Sequence, residues 1–74
     1  MKDYLVAYRK GPIGVAGMDW CRQESADDPR DLISDVEQIT KDWRIEPIED
    51  GLLCTAPDES ETFEHNVTIT LIDA

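Results

Sequence analysis

Residues 28–43 constrain this chain more than any other stretch. Their apolar side chains are Leu32, Ile33, Val36, Ile39 and Trp43, at offsets of 0, 1, 4, 7 and 11. That spacing places them on one face of a helix with about 3.6 residues per turn. The start signals agree. Asp28 can cap the free N–H groups, Pro29 fits the first helical position, and Asp31 sits well in the positive first turn. A greasy stripe of this kind must be covered, and the remaining residues must supply the covering surface. The pattern predicts an amphipathic α-helix over residues 28–43, laid on a small sheet.

Residues 3–9 read as a first strand, with Tyr4, Val6 and Tyr8 on one face and Leu5 and Ala7 on the other. Lys10-Gly11-Pro12 is a turn signal. Residues 13–21 read as a second, antiparallel strand, although Gly14 and Gly17 point to a bulge or a close backbone approach. Residues 44–48 form a short third strand, which Pro47 confines to an edge because it has no N–H to donate. Glu49-Asp50-Gly51 is a hairpin turn, and residues 52–56 return as a fourth strand. Residues 57–66 read as an acidic loop. Residues 67–72 alternate strongly and suit the middle of a sheet or pairing with the first strand. The expectation is a single α+β domain over residues 1–74, with one helix packed on a mainly antiparallel sheet of four to five strands. The element order is β-β-α-β-β-β, and the sheet's far face, with Thr68 and Thr70, is partly solvated.

Seventy-four residues lie near the lower limit for a self-sufficient core. No apolar run approaches the roughly 20 residues that span a bilayer, and the start of the chain lacks the apolar block of a secretory signal. A soluble cytoplasmic protein is expected. Two cysteines, Cys21 and Cys54, are too few for a disulfide framework, and both are expected to be small buried apolar residues.

The formal charge of −10 is unevenly spread. Residues 1–44 hold nine acidic and seven basic side chains, a sum of −2; residues 45–74 hold eight acidic side chains and no Lys or Arg, a sum of −8. This imbalance argues against DNA, RNA or an anionic membrane as a direct partner. It suits a basic partner or high solubility.

Catalytic chemistry is not signalled, and no enzyme is expected. The lone His65 has no nucleophile pattern beside it and reads as a surface histidine. Cys21, Cys54 and His65 lack the paired spacing of a zinc site. Asp58, Glu59, Glu61 and Glu64 supply oxygens without the order of a calcium loop. Gly11-Pro12-Ile13-Gly14 lacks the length and the lysine of a phosphate loop, and Asn66-Val67-Thr68 is a chance glycosylation sequon in a cytoplasmic protein. No cofactor and no metal are expected.

The polar side of the expected helix is more informative. Asp31, Asp35 and Asp42 recur at offsets of 0, 4 and 11, a row of carboxylates. Glu46, Glu49 and Asp50 around the hairpin turn, with Asp58, Glu59, Glu61 and Glu64 in the loop, extend the anionic surface. These ten residues are the expected partner-binding set. Spaced carboxylates can present a field comparable to duplex DNA, which carries about one charge per 1.7 Å of axis. The sequence thus suggests a module that binds and blocks a basic, nucleic-acid-binding surface of a larger protein, alone or as a homodimer. Of Trp20 and Trp43, one is expected in the core and the other partly exposed, where it can anchor a contact.

In size and charge the chain resembles the small inhibitors of phages and mobile elements, including anti-CRISPR and anti-restriction proteins. The run Tyr4-Leu5-Val6-Ala7-Tyr8-Arg9-Lys10-Gly11, followed by a second strand, Cys21 and a capped helix, resembles the N-terminal part of HicB-type antitoxins. That resemblance covers about 40 residues, without the usual Gly before the Cys and without an added DNA-binding domain. It implies an antitoxin-like or regulatory subunit for a small basic partner. Two further expectations remain open: a structural component that self-associates through an edge strand, and a halophile protein whose acidity serves solvation.

Overall fold

The computed structural model describes residues 1–15 and 17–73. Five strands run in the order β1 (Lys2–Pro12), β2 (Gly17–Ala26), β3 (Arg44–Ile48), β4 (Gly51–Thr55) and β5 (Phe63–Asp73). They form one antiparallel sheet ordered β2-β1-β5-β4-β3. β5 lies at the centre, paired with β1 on one side and β4 on the other, as its alternation predicts.

The register sorts side chains onto two faces. Trp20, Tyr8, Val67, Cys54 and Ile45 form one row across the sheet, and Arg22, Val6, Ile69, Leu52 and Pro47 the next. Val6, Cys54, Val67 and Ile69 are the most completely buried side chains. The opposite face carries Cys21, Ala7, Thr68, Leu53 and Glu46 in one row and Gln23, Leu5, Thr70, Gly51 and Ile48 in the next. Thr68, Thr70, Leu5 and Leu53 are half-buried there, and no element covers them among the described residues.

The expected α-helix is corrected. Residues 28–43 contain one short helix, a seven-residue 3₁₀ helix over Pro29–Asp35, followed by turns. The fold is therefore mostly sheet. The cap is as expected, with Asp28 Oδ1 accepting from Arg30 N–H at 2.9 Å. Beyond it the backbone bonds step by three residues: Val36 N–H to Ile33 O, Ile39 N–H to Val36 O and Trp43 N–H to Thr40 O. Propensity explains the failure. Ile33, Ser34, Asp35, Val36, Ile39, Thr40 and Asp42 are weak helix formers, and a helix this short is marginal without help. Asp28, Asp31 and Asp35 also repel one another at spacings of three and four. The apolar pattern still finds the sheet. Leu32, Val36 and Trp43 are buried in the core, with Ile33 and Ile39 packed at its margin. Fully covering a Leu or Val stabilises by roughly 1.5–3 kcal/mol, so packing fixes the segment where helix propensity does not.

The strand bounds also shift. β1 runs through Gly11 and Pro12, and the turn falls at Ile13–Val15, where Gly14 has φ +93°. β2 begins at Gly17 and continues through the polar residues 22–25, which an edge strand tolerates, to Ala26. Ala16, inside the expected second strand, lies outside the described residues. β5 starts at Phe63, which shortens the expected acidic loop to residues 56–62. β3 occupies the other edge, where Pro47 is allowed.

The cysteines differ from expectation in one respect. Cys54 is buried, whereas Cys21 is exposed on the uncovered face; both are free thiols. Two intervening strands and opposite faces separate them.

Candidate functional site

The ten acidic residues fall into three groups rather than one patch. Asp31, Asp35 and Asp42 belong to the covering segment, and all three are exposed. They do not form the expected row. A 3₁₀ helix turns once every three residues, so positions four apart point about 120° away from each other. Asp42 lies in a separate turn after the helix has ended.

Glu46 projects from β3 beside Arg44, with Oε1 3.4 Å from its Nε. Glu49 and Asp50 occupy the exposed β3–β4 turn. That turn lies at the end of the sheet where β5 finishes, since Gly51 pairs with Thr70. The loop after β4 lies at the other end, because Thr55 pairs with Asn66.

Two loop carboxylates hold the fold itself. Asp58 Oδ1 accepts from His65 Nδ1 at 3.0 Å. Glu59 Oε2 accepts from the His65 backbone N–H and from Asn66 Nδ2, both at 3.2 Å. Glu61 is exposed, and Glu64 is half-buried on β5. Asp42 and Glu59 come together across a surface cleft of about 260 Å³, lined also by Arg44, Thr55, Ala56 and Pro57. In this cleft acidic residues of the covering segment and of the loop lie together with the Arg44 cation.

His65 corrects a second expectation. It is a strand residue with a side chain 18% exposed, bonded at both ring nitrogens. Tyr8 O–H lies 2.8 Å from Nε2. The ring thus bridges the Tyr8 phenol and the Asp58 carboxylate through its two nitrogens. Trp43 meets it edge-on at 5.0 Å between centroids, and Phe63 at 6.2 Å. The chain Asp58–His65–Tyr8 ends on a buried phenol. Burial pushes the Tyr8 pKa up, with Asp19 and Asp58 adding to the effect. Asp58 is held below the usual carboxylate range, chiefly by its hydrogen bond with His65. These bonds fasten the loop to the sheet.

The signal that finds His65 lies in the sequence. Phe63, His65, Val67, Ile69 and Leu71 continue one alternation, which places the histidine on the core face. Trp43 is the core tryptophan, and Trp20 is half-buried with the Arg22 guanidinium 4.8 Å above its ring. Among the described residues, no three His, Cys, Asp or Glu side chains gather in a way that would hold a metal ion. No described helix is long and apolar enough to cross a membrane.

No known protein family, no curated protein and no solved structure matches this chain.

Proposed function

We propose that this chain is a small acidic interaction module that docks on, and blocks, a basic nucleic-acid-binding surface of a larger protein. One observation carries the reading: the negative charge is concentrated outside the β1–β2 hairpin. The β1–β2 hairpin holds Lys2, Arg9, Lys10 and Arg22 against Asp3, Asp19 and Glu24, a sum of +1, which leaves −11 of the total −10 for the rest of the chain. The remainder comprises the covering segment, β3, β4, β5 and their connections. Within it, Asp31, Asp35, Asp42, Glu49, Asp50 and Glu61 are exposed, and among the described residues none has a cation at salt-bridge distance. Unneutralised carboxylates spread over a small domain steer it toward basic surfaces and speed the encounter.

The broken Asp31–Asp35–Asp42 row removes any regular imitation of a phosphate backbone. The proposed recognition rests on net field. The setting is cytoplasmic, where free thiols stay reduced. The test is competition. A host nucleic-acid-binding protein bound by this chain should release it when duplex DNA is added, and the triple variant D31N/D35N/D42N should bind more weakly. Simultaneous binding of DNA and this chain by one partner would overturn the blocking role.

A further inference from the structure

We infer that the free edge of β2 is a pairing surface for a second copy of this chain. The two edges of the sheet differ in kind. β3 has five residues with Pro47 among them, which interrupts its row of donors. β2 has ten residues, Gly17–Ala26, with no proline and with β1 on one side alone. Its register with β1 is unbroken from Trp20 to Ala26; the irregularity lies beyond, where Arg9 pairs with Met18 and Asp19 is skipped. Seven consecutive residues therefore present a regular ladder edge that no other described strand occupies.

The charge pattern selects the occupant and the register. A two-fold antiparallel pairing needs one residue opposite its own copy, and the middle of the regular run is Gln23. Centred there, Arg22 faces Glu24 of the second copy, and Glu24 faces its Arg22. Arg22 Nε already lies 3.0 Å from Glu24 Oε1 within the strand, so the junction becomes an alternating four-charge cluster. Centring on Arg22 or Glu24 instead sets like charges face to face, which destabilises a ladder. The position on the molecule also favours self-pairing. β2 belongs to the hairpin of net charge +1, and β4 lies three strand spacings away, about 14 Å. That exceeds the screening length of about 8 Å at physiological salt. The acidic β3–β4 hairpin, with Glu46, Glu49 and Asp50, thus stands off from the junction, while Asp27 and Asp28 directly follow β2. Asp31 and Asp35 of the covering segment lie nearer β2, where Arg22 Nη2 donates to the Asp35 carbonyl at 2.9 Å.

The test is sedimentation equilibrium of the full chain at moderate salt, with three variants. The parent should dimerise. Arg22→Glu opposes like charges twice and should weaken the dimer by about tenfold. The swap R22E/E24R should restore it, which separates the interface from a folding defect. In a Cys21→Ser background, Gln23→Cys should form an intermolecular disulfide under mild oxidation, because position 23 meets its own copy. A parent that stays monomeric would overturn the inference. So would a dimer indifferent to R22E, or cross-linking through native Cys21 in place of position 23.

Discussion

Tyr8 and His65, 57 positions apart in sequence, are joined by a 2.8 Å hydrogen bond between the phenol oxygen and Nε2. The bond ties β1 to β5 at the point where the acidic loop departs, and Asp58 closes it from the loop side. Tyr8→Phe should cost about 1 kcal/mol in urea unfolding at neutral pH, since it leaves Nε2 without its partner. The pH dependence follows from the raised phenol pKa. A folded value above the unfolded one, about 10, means the stabilisation is full below that pH and declines as pH rises through the folded value. Parent and Phe variant should therefore converge in stability at alkaline pH. A constant gap across that range would contradict the arrangement.

Asp58 works in the opposite direction. Its pKa is lowered, first by the hydrogen bond with His65, with smaller help from the charges of His65 and Lys10. Its contribution is present above the unfolded carboxylate value of about 3.9 and fades as pH falls through the lower folded value. Asp58→Asn should flatten that part of the acid unfolding profile. A variant that keeps the parent's acid slope would show that the pair does not operate in solution.

The two thiols should differ sharply. Cys21 is exposed, and Cys54 is buried with its pKa pushed up to about 11. An alkylating reagent at neutral pH should label Cys21 quickly and Cys54 after unfolding, because the thiolate is the reactive form. Rapid labelling of both in the folded protein would mean that β4 is open to solvent.

Gly51 opens β4 against β5, and a Cβ there would collide with the carbonyl oxygen of Ile69. Backbone cannot yield as a flexible side chain can. Gly51→Ala should cost about 1–3 kcal/mol, read as a lower unfolding midpoint. An unchanged midpoint would mean that the β4–β5 contact is looser than drawn.

Much of this fold is legible in the residues. Val67, Ile69 and Leu71 mark a central strand, Pro47 marks an edge, and Leu32, Val36 and Trp43 mark what covers the sheet. The helix is where reading fails. Periodicity reports which side chains face the core, and turns stepping by three can deliver them there as well as an α-helix does. Nothing in the spacing distinguishes the two; the weak helix formers among residues 33–42 do. His65 was hidden because an acidic, polar run looks like a loop, although its alternation with Phe63 and Val67 already places it in β5. The acidic surface was legible as a quantity and not as a shape. Asp58 and Glu59 turn inward to hold His65 and Asn66, while Glu49 and Asp50 lie at the far end of the sheet.

The most direct test of the central claim is a titration of this chain against nucleic-acid-binding proteins of its native host, repeated as salt rises. An acidic module on a basic groove should bind at low salt and lose at least about tenfold in affinity between about 0.05 and 0.2 M. Binding that ignores salt across that interval, or no binding to any of them at low salt, would contradict it.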